Sequence, residues 1–87
     1  MPERNVTVTN ELGVHARAAA AFAQLSTRFE CEIFVSCRGM EVDGKSIMGV
    51  MMLTAPVGAE LTIRADGEDA QDAVEQLAAL VDNSFEE

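Results

Sequence analysis

The segment "CEIFVSC", residues 31–37, restricts the fold of this chain more than any other stretch, because its side chains alternate in burial preference. Successive side chains of a β-strand point to opposite faces of the sheet. One face of this strand would bury Cys31, Ile33, Val35 and Cys37, and the other would carry Glu32, Phe34 and Ser36. "NVTVT" and "AELTIRA" alternate similarly. Strands of this kind predict an antiparallel or mixed sheet that helices cover on one side only.

Segments with helical periodicity lie between these strands. "ARAAAAFAQLSTRF" predicts a helix, Ser46 and Asp69 are predicted N-caps of two later helices, and "RG" at 38–39 predicts a hairpin turn. The predicted buried positions of the first and last helices are Ala18, Phe22, Leu25 and Phe29, and Ala70, Ala73, Val74, Leu77, Leu80 and Val81. We therefore predict an α+β fold, an open-faced β-sandwich in the order β-α-β-β-α-β-α. Its four-stranded sheet carries three helices on one face, in a single domain that spans residues 1–87.

Composition excludes several classes of function. Fifteen acidic residues against six basic ones give a net charge of −9, which argues against nucleic-acid binding. No long apolar run and no secretory signal occur, so we expect a cytoplasmic protein without membrane insertion. Cys31 and Cys37 would lie about 20 Å apart along a strand, too far for a disulfide, and are predicted to be buried thiols. With one histidine in the chain, we expect no metal site and no cofactor.

The single histidine, His15, stands where a glycine-containing loop meets the alanine-rich helix. The first N–H groups of a helix lack intrahelical partners and form the positive end of its dipole, so they attract anions. A phosphoryl group on His15 would lie beside the N–H groups of Ala16 and Arg17, and the Arg17 guanidinium would offer paired donors. The same positive end disfavours the imidazolium and leaves a neutral, nucleophilic ring. The pattern favours phosphoryl transfer, although an ordinary cap histidine beside a solvated arginine is the commoner case on residue type alone.

Two motifs decide between these interpretations. "GVHARAAAAF" and, further along the chain, "GKSIMGVMML" resemble HPr, the family of histidine-containing phosphocarriers of the bacterial phosphoenolpyruvate-dependent sugar phosphotransferase system. The similarity extends over essentially the whole chain in length, element order and both motifs. The resemblance implies that His15 is phosphorylated and that Arg17 binds its phosphate. It further implies enzyme I as the donor, A-type enzyme II components of sugar transporters as acceptors, and a monomeric carrier rather than a stand-alone enzyme.

One position departs from the family. A proline usually follows the arginine, whereas this chain has Ala18. Proline presets φ in the first helical turn, but alanine only favours the helix. We therefore expect a less rigid start of the helix with the carrier function retained.

The second motif predicts a docking and regulatory surface. A short helix cannot bury all of its apolar residues, so Val50 and Leu53 are predicted core positions. The resemblance implies that Ile47, Met48 and Met51 contact partners. It also implies that Ser46 is phosphorylated by a bifunctional kinase/phosphorylase, which would place about two negative charges beside the docking residues.

Three other functions remain open at this stage. A carrier of the nitrogen-linked phosphotransferase branch would regulate rather than transport. A pure binding module would present phosphorylated Ser46 to a transcriptional regulator and leave His15 idle. A hydrolase with His15 as general base has the least support, because no nucleophile or orienting carboxylate accompanies the histidine, Glu11 being near only in sequence.

Overall fold

The computed structural model describes residues 1–86 and confirms the predicted order of elements, β-α-β-β-α-β-α. A short 3-10 turn, Ser84–Glu86, follows the last helix. The strands are β1 (Glu3–Thr7), β2 (Glu32–Cys37), β3 (Met40–Asp43) and β4 (Glu60–Asp66), and the helices are α1 (Ala16–Ser26), α2 (Ile47–Met52) and α3 (Ala70–Asp82).

The four strands form one antiparallel sheet in the order β1-β4-β2-β3. Of the two predicted arrangements, antiparallel and mixed, the antiparallel one is correct. Its inner face is buried as the alternation predicted, through Val6, Ile33, Val35, Cys37, Leu61, Ile63 and Ala65. On the open face, Arg64 pairs with Glu41 and lies over the Phe34 ring, 5.4 Å from its centroid. The sheet is thus covered by helices on one side only.

The hairpin between β2 and β3 turns at Arg38 and Gly39, as predicted. Both residues have positive φ, 51° and 84°, and Cys37 pairs directly with Met40. Two central residues with positive φ are typical of a type I′ turn, whose twist matches that of the flanking strands.

The last helix confirms its predicted buried face, but the first differs in part. All six predicted residues of α3 are buried. Helix α1 ends at Ser26, so Phe29 reaches the core from the following loop, and Leu25 is only half-buried. Within α1, the predicted Ala18 and Phe22 are buried, together with Ala19, Ala23 and Ser26. A helix this rich in alanine presents apolar surface on several sides, so tertiary contacts choose which side is buried.

Asp69 occupies the N-cap position of α3, but the prediction that its side chain caps this helix is wrong. Its carboxylate accepts hydrogen bonds from the backbone N–H groups of Glu30 (2.9 Å) and Cys31 (3.0 Å). The N–H of Glu30 and the contact with the Cys31 side chain hold the pKa of Asp69 below its ordinary value. Asp69 therefore joins the start of α3 to the start of β2 rather than stabilising α3 alone.

Cys31 and Cys37 are both buried thiols, as predicted. Burial, supported by the neighbouring Asp69 carboxylate, raises the pKa of Cys31 to about 11. Within residues 1–86, no helix is long and apolar enough to cross a membrane.

Candidate functional site

His15 is the N-cap of α1, as predicted from the sequence. Its backbone is extended, with φ −91° and ψ −177°, and its carbonyl accepts the first intrahelical hydrogen bond from Ala19 N at 2.8 Å. The Nδ1 atom accepts a hydrogen bond from the backbone N–H of Arg17 at 3.2 Å. The ring is half-buried, whereas Ala16 and Arg17 are exposed. The imidazole therefore lies directly at the positive end of α1.

The hydrogen bond to Nδ1 has a chemical consequence. A nitrogen that accepts a hydrogen bond presents its lone pair, so the proton of the neutral ring belongs on Nε2. The lone pair of Nδ1 points toward the backbone N–H of Arg17, a donor that would also stabilise a phosphoryl oxygen. Nucleophile and anion-binding groups therefore lie together at the first turn of α1, formed by His15, Ala16 and Arg17.

The loop before His15 is held against the segment that follows α2. Val14 N donates to Ala55 O at 2.8 Å, and Gly13 has φ +71°, which disfavours any residue with a side chain. A Cβ atom on Gly13 would lie 2.4 Å from Ala55 O. Only glycine permits this approach of the two backbones, and the approach sets where α1 can begin.

Ser46 is the N-cap of α2, as predicted. Its Oγ accepts a hydrogen bond from Gly49 N at 3.0 Å, and its carbonyl accepts one from Val50 N at 3.0 Å. The serine itself is half-buried. Its hydroxyl thus lies at the positive end of a short helix, in the same kind of position that His15 occupies on α1.

The apolar residues of α2 divide as the sequence predicted. Val50 and Leu53 are buried, while Ile47, Met48 and Met51 are exposed by 43%, 75% and 39%. Three further exposed apolar side chains are Leu12 in the loop before His15, Met52 on α2, and Val57 in the loop after α2. These six residues form what we call the apolar patch: Leu12, Ile47, Met48, Met51, Met52 and Val57. Four of the six lie on one short helix, and groups of exposed apolar side chains commonly mark protein-binding surfaces.

Within the described residues, no three histidine, cysteine, aspartate or glutamate side chains are grouped so that they could hold a metal ion. The groups that the structure brings together at His15 are its imidazole and the backbone N–H of Arg17, and the Arg17 side chain is exposed at the same helix start. Such a set can accept and stabilise a phosphoryl group by positioning and charge.

Comparison with known proteins identifies the family. Residues 2–83 match the family model described as "PTS HPr component phosphorylation site". The chain belongs to the HPr family. It is 47% identical to phosphocarrier protein HPr of Cupriavidus necator, over the whole of this chain and 98% of that protein. This HPr-family chain is accordingly a phosphocarrier of the phosphotransferase system.

Solved structures of HPr relatives share the fold. The crystal structure of HPr-C-His from Thermoanaerobacter tengcongensis matches with a TM-score of 0.94 and 36% identity, over 100% of this chain and 98% of that one. The Bacillus subtilis catabolite repression protein Crh, described as a dimer with a swapped domain, matches with a TM-score of 0.77 and 43% identity, over 97% of each chain. The expected HPr-like architecture is thus confirmed.

Some contributors to the site were missed by sequence reasoning. Three of them make the hydrogen bonds or close contacts of the loop before His15: Asn10, Gly13 and Ala55. The fourth, Leu12, is exposed in the same loop. The only local signal was the glycine in "NELGV", which predicts a loop but does not reveal its partner segment. Ala18 is buried in the first turn of α1, which forms without the family's usual proline.

Proposed function

We propose that His15 of this HPr-family chain accepts a phosphoryl group from phosphorylated enzyme I and passes it to A-type enzyme II components of sugar transporters. The chain would act as one HPr-like domain, as a monomer in the cytoplasm. The observation that carries the proposal is the placement of His15 Nδ1 at the start of α1, 3.2 Å from Arg17 N. This placement puts the lone pair of a neutral imidazole beside donors suited to phosphate oxygens.

The transfer would proceed in line. The Nδ1 lone pair attacks phosphorus as the bond to the donor histidine of enzyme I breaks, and the ring keeps its proton on Nε2. The N–H of Arg17, no longer bonded to Nδ1, turns to a phosphoryl oxygen, and the exposed guanidinium contributes two further donors. Transfers of this kind depend mainly on positioning and charge stabilisation.

Intact mass spectrometry after incubation with enzyme I and phosphoenolpyruvate tests the proposal. We expect one added phosphoryl group that mild acid removes and that a His15→Ala protein lacks. Because the chain holds one histidine, loss of the acid-labile group in the His15→Ala protein assigns the site. Absence of added mass on folded protein would refute carrier function at His15.

The docking proposal assigns Ile47, Met48 and Met51 to partner contact. Methionine suits surfaces that bind several partners, because its side chain is flexible and polarisable. Met51→Asp should raise KM for phosphorylation by enzyme I. Met40→Asp is the matched control, since Met40 is exposed by 46% against 39% for Met51 but lies on β3, outside the apolar patch. Equal effects of the two variants would contradict this docking surface.

We further propose that Ser46 is a regulatory phosphorylation site, modified by a kinase/phosphorylase. A phosphate on Oγ would remain at the positive end of α2 and preserve the fold, while its charge would lie next to the exposed Ile47 and Met48. Ser46→Asp should stay folded and accept phosphate from enzyme I much more slowly. Ser46→Asn introduces a neutral N-cap of the same size as aspartate, so it is the matched control and should transfer normally. Normal transfer by Ser46→Asp would refute regulation by charge.

A regulatory function is the second candidate, and similarity to Crh is the observation that favours it. In that case phosphorylated Ser46 would create a binding surface for a transcriptional regulator, or the chain would serve the nitrogen-linked branch. Phosphorylation assays with purified A-type enzyme II components separate these functions. Transfer from phosphorylated His15 to a sugar-transport component would support the carrier, whereas failure of transfer with an intact phosphohistidine would support the regulatory alternative. Sedimentation of the purified chain would test the expected monomer.

A further inference from the structure

The peptide unit between Gly13 and Val14 is held at both of its polar ends. Its N–H, on Val14, donates to Ala55 O at 2.8 Å. Its carbonyl, on Gly13, accepts hydrogen bonds from His15 N at 3.0 Å and from the side-chain amide of Asn10. A peptide plane that is bonded on both edges cannot rotate without breaking one of these contacts. This plane therefore determines the direction in which the chain enters His15.

Asn10 is the only one of these partners that acts through a side chain. It is 6% exposed, and a polar side chain is rarely buried to this extent without a specific bonding role. Its carbonyl also accepts a hydrogen bond from Gly13 N at 3.0 Å, so Asn10 and Gly13 close the loop through two hydrogen bonds. One of these, from the side-chain Nδ2, ends on the same carbonyl oxygen to which His15 N donates.

We propose that Asn10 is a positioning residue for phosphoryl transfer, an inference that rests on the proposed function of His15. By fixing the Gly13 carbonyl, the Asn10 amide orients the His15 backbone so that Nδ1, rather than Nε2, faces Arg17 N. Asn10 touches neither the imidazole nor the phosphoryl group in this scheme. Asn10 raises the fraction of molecules in which Nδ1 faces Arg17 N. Small misplacements of a reacting group slow transfer strongly.

Two measurements on Asn10→Ala test this role. The first is steady-state phosphorylation by enzyme I, in which we expect kcat to fall about tenfold while KM changes less than about twofold, because Ile47, Met48 and Met51 are untouched. The second is the ¹⁵N NMR spectrum of the unphosphorylated ring in alkaline solution, where the imidazole is neutral. We expect the wild type to show a proton on Nε2 and Asn10→Ala to show a mixture of the two tautomers.

Thr9→Val is the matched control. Thr9 is the neighbouring residue, and its hydroxyl contacts Ser84 Oγ at 2.7 Å and Val81 O at 3.4 Å rather than the Gly13 carbonyl. This variant removes hydrogen bonds of the same loop without releasing the peptide plane, so it should keep the wild-type tautomer and the wild-type kcat. Asn10→Leu fills the buried volume without a donor and serves if Asn10→Ala does not fold.

The outcomes distinguish the positioning role of Asn10 from the phosphorylation of His15. Wild-type kcat and an unchanged tautomer in a folded Asn10 variant would overturn the positioning role while leaving His15 as the phosphorylated residue. An unphosphorylated wild type would refute the proposed function, yet the tautomer measurement would still report on Asn10. If neither Asn10 variant folds, slow hydrogen exchange of the Asn10 carboxamide in the wild type would support its bond to Gly13, and rapid exchange would overturn it.

Discussion

Replacement of Gly13 by alanine would test the close approach between the histidine loop and the segment after α2. Two costs apply to this substitution. A residue with a side chain at φ +71° loses roughly 1–2 kcal/mol. The new Cβ would also lie 2.4 Å from Ala55 O, a backbone atom that cannot rotate away, and overpacking of this kind costs typically about 1–3 kcal/mol.

We therefore expect Gly13→Ala to lower the free energy of unfolding by about 2–5 kcal/mol. For a chain of 87 residues, the free energy of unfolding is about 4–13 kcal/mol, so the loss would be a large part of the total. Equilibrium urea unfolding at neutral pH measures it. The variant should also accept phosphate from enzyme I more slowly, because the loop must move away from Ala55 and carries His15 with it.

Gly58→Ala separates the two costs. Gly58 has φ +89°, but a Cβ atom there would meet nothing within 4 Å. It should therefore lose only the backbone contribution, roughly 1–2 kcal/mol. Equal losses for Gly13→Ala and Gly58→Ala would show that the contact with Ala55 adds nothing to the free energy of unfolding. That result would refute the claim that the approach of Gly13 to Ala55 fixes the loop before His15.

Three further predictions concern the helix start and the titrating groups. Ala18→Pro should stay folded and gain about 0.4–1 kcal/mol in the free energy of unfolding measured in urea, because residue 18 precedes the first intrahelical donor, Ala19. A loss of stability would show that the core around the buried Ala18 has no room for the proline ring. Asp69 has a lowered pKa in the folded state, so its stabilisation is present above its ordinary pKa and is lost as pH falls through the folded value. Asp69→Asn should accordingly be less stable than wild type at neutral pH, and unfolding curves measured toward acid should converge; a gap independent of pH would contradict the carboxylate's role. The pKa of Cys31 is raised from 9.0 to about 11, so its contribution to stability is complete below pH 9.0 and is lost as pH rises toward 11. Thiol reagents at pH 8 should label Cys31 only after the protein unfolds, and rapid labelling of the folded protein would contradict its burial.

Much of the fold could be predicted because its signals are local. Alternation in "CEIFVSC" and the apolar face of α3 depend on residues two to four positions apart, and both were confirmed. The N-caps His15 and Ser46 are local as well, since each bonds a backbone N–H two or three residues onward. Resemblance of the two surrounding motifs to the HPr family then supplied a role for each cap.

Asp69 shows where local reasoning fails. Its residue type and position matched an N-cap, but its carboxylate bonds two N–H groups 38 and 39 residues away along the chain. The buried side of α1 was predicted only in part, because an alanine-rich helix offers several apolar faces: Ala18 and Phe22 are buried as predicted, but Leu25 is only half-buried. In both cases the local pattern allows more than one arrangement, and contacts with residues distant along the chain select the one observed.

The sequence by itself determined the elements, their order, the two helix starts and the residues that the family resemblance marks for phosphorylation. Only the tertiary structure decided the strand order, the hydrogen bonds of Asp69, and the close approach of Gly13 to Ala55 beside His15. The physical reason is the distance along the chain over which each interaction acts. Periodicity and capping arise from interactions within one or two turns, whereas the placement of the His15 loop depends on backbone groups more than forty residues apart that only the folded core brings together.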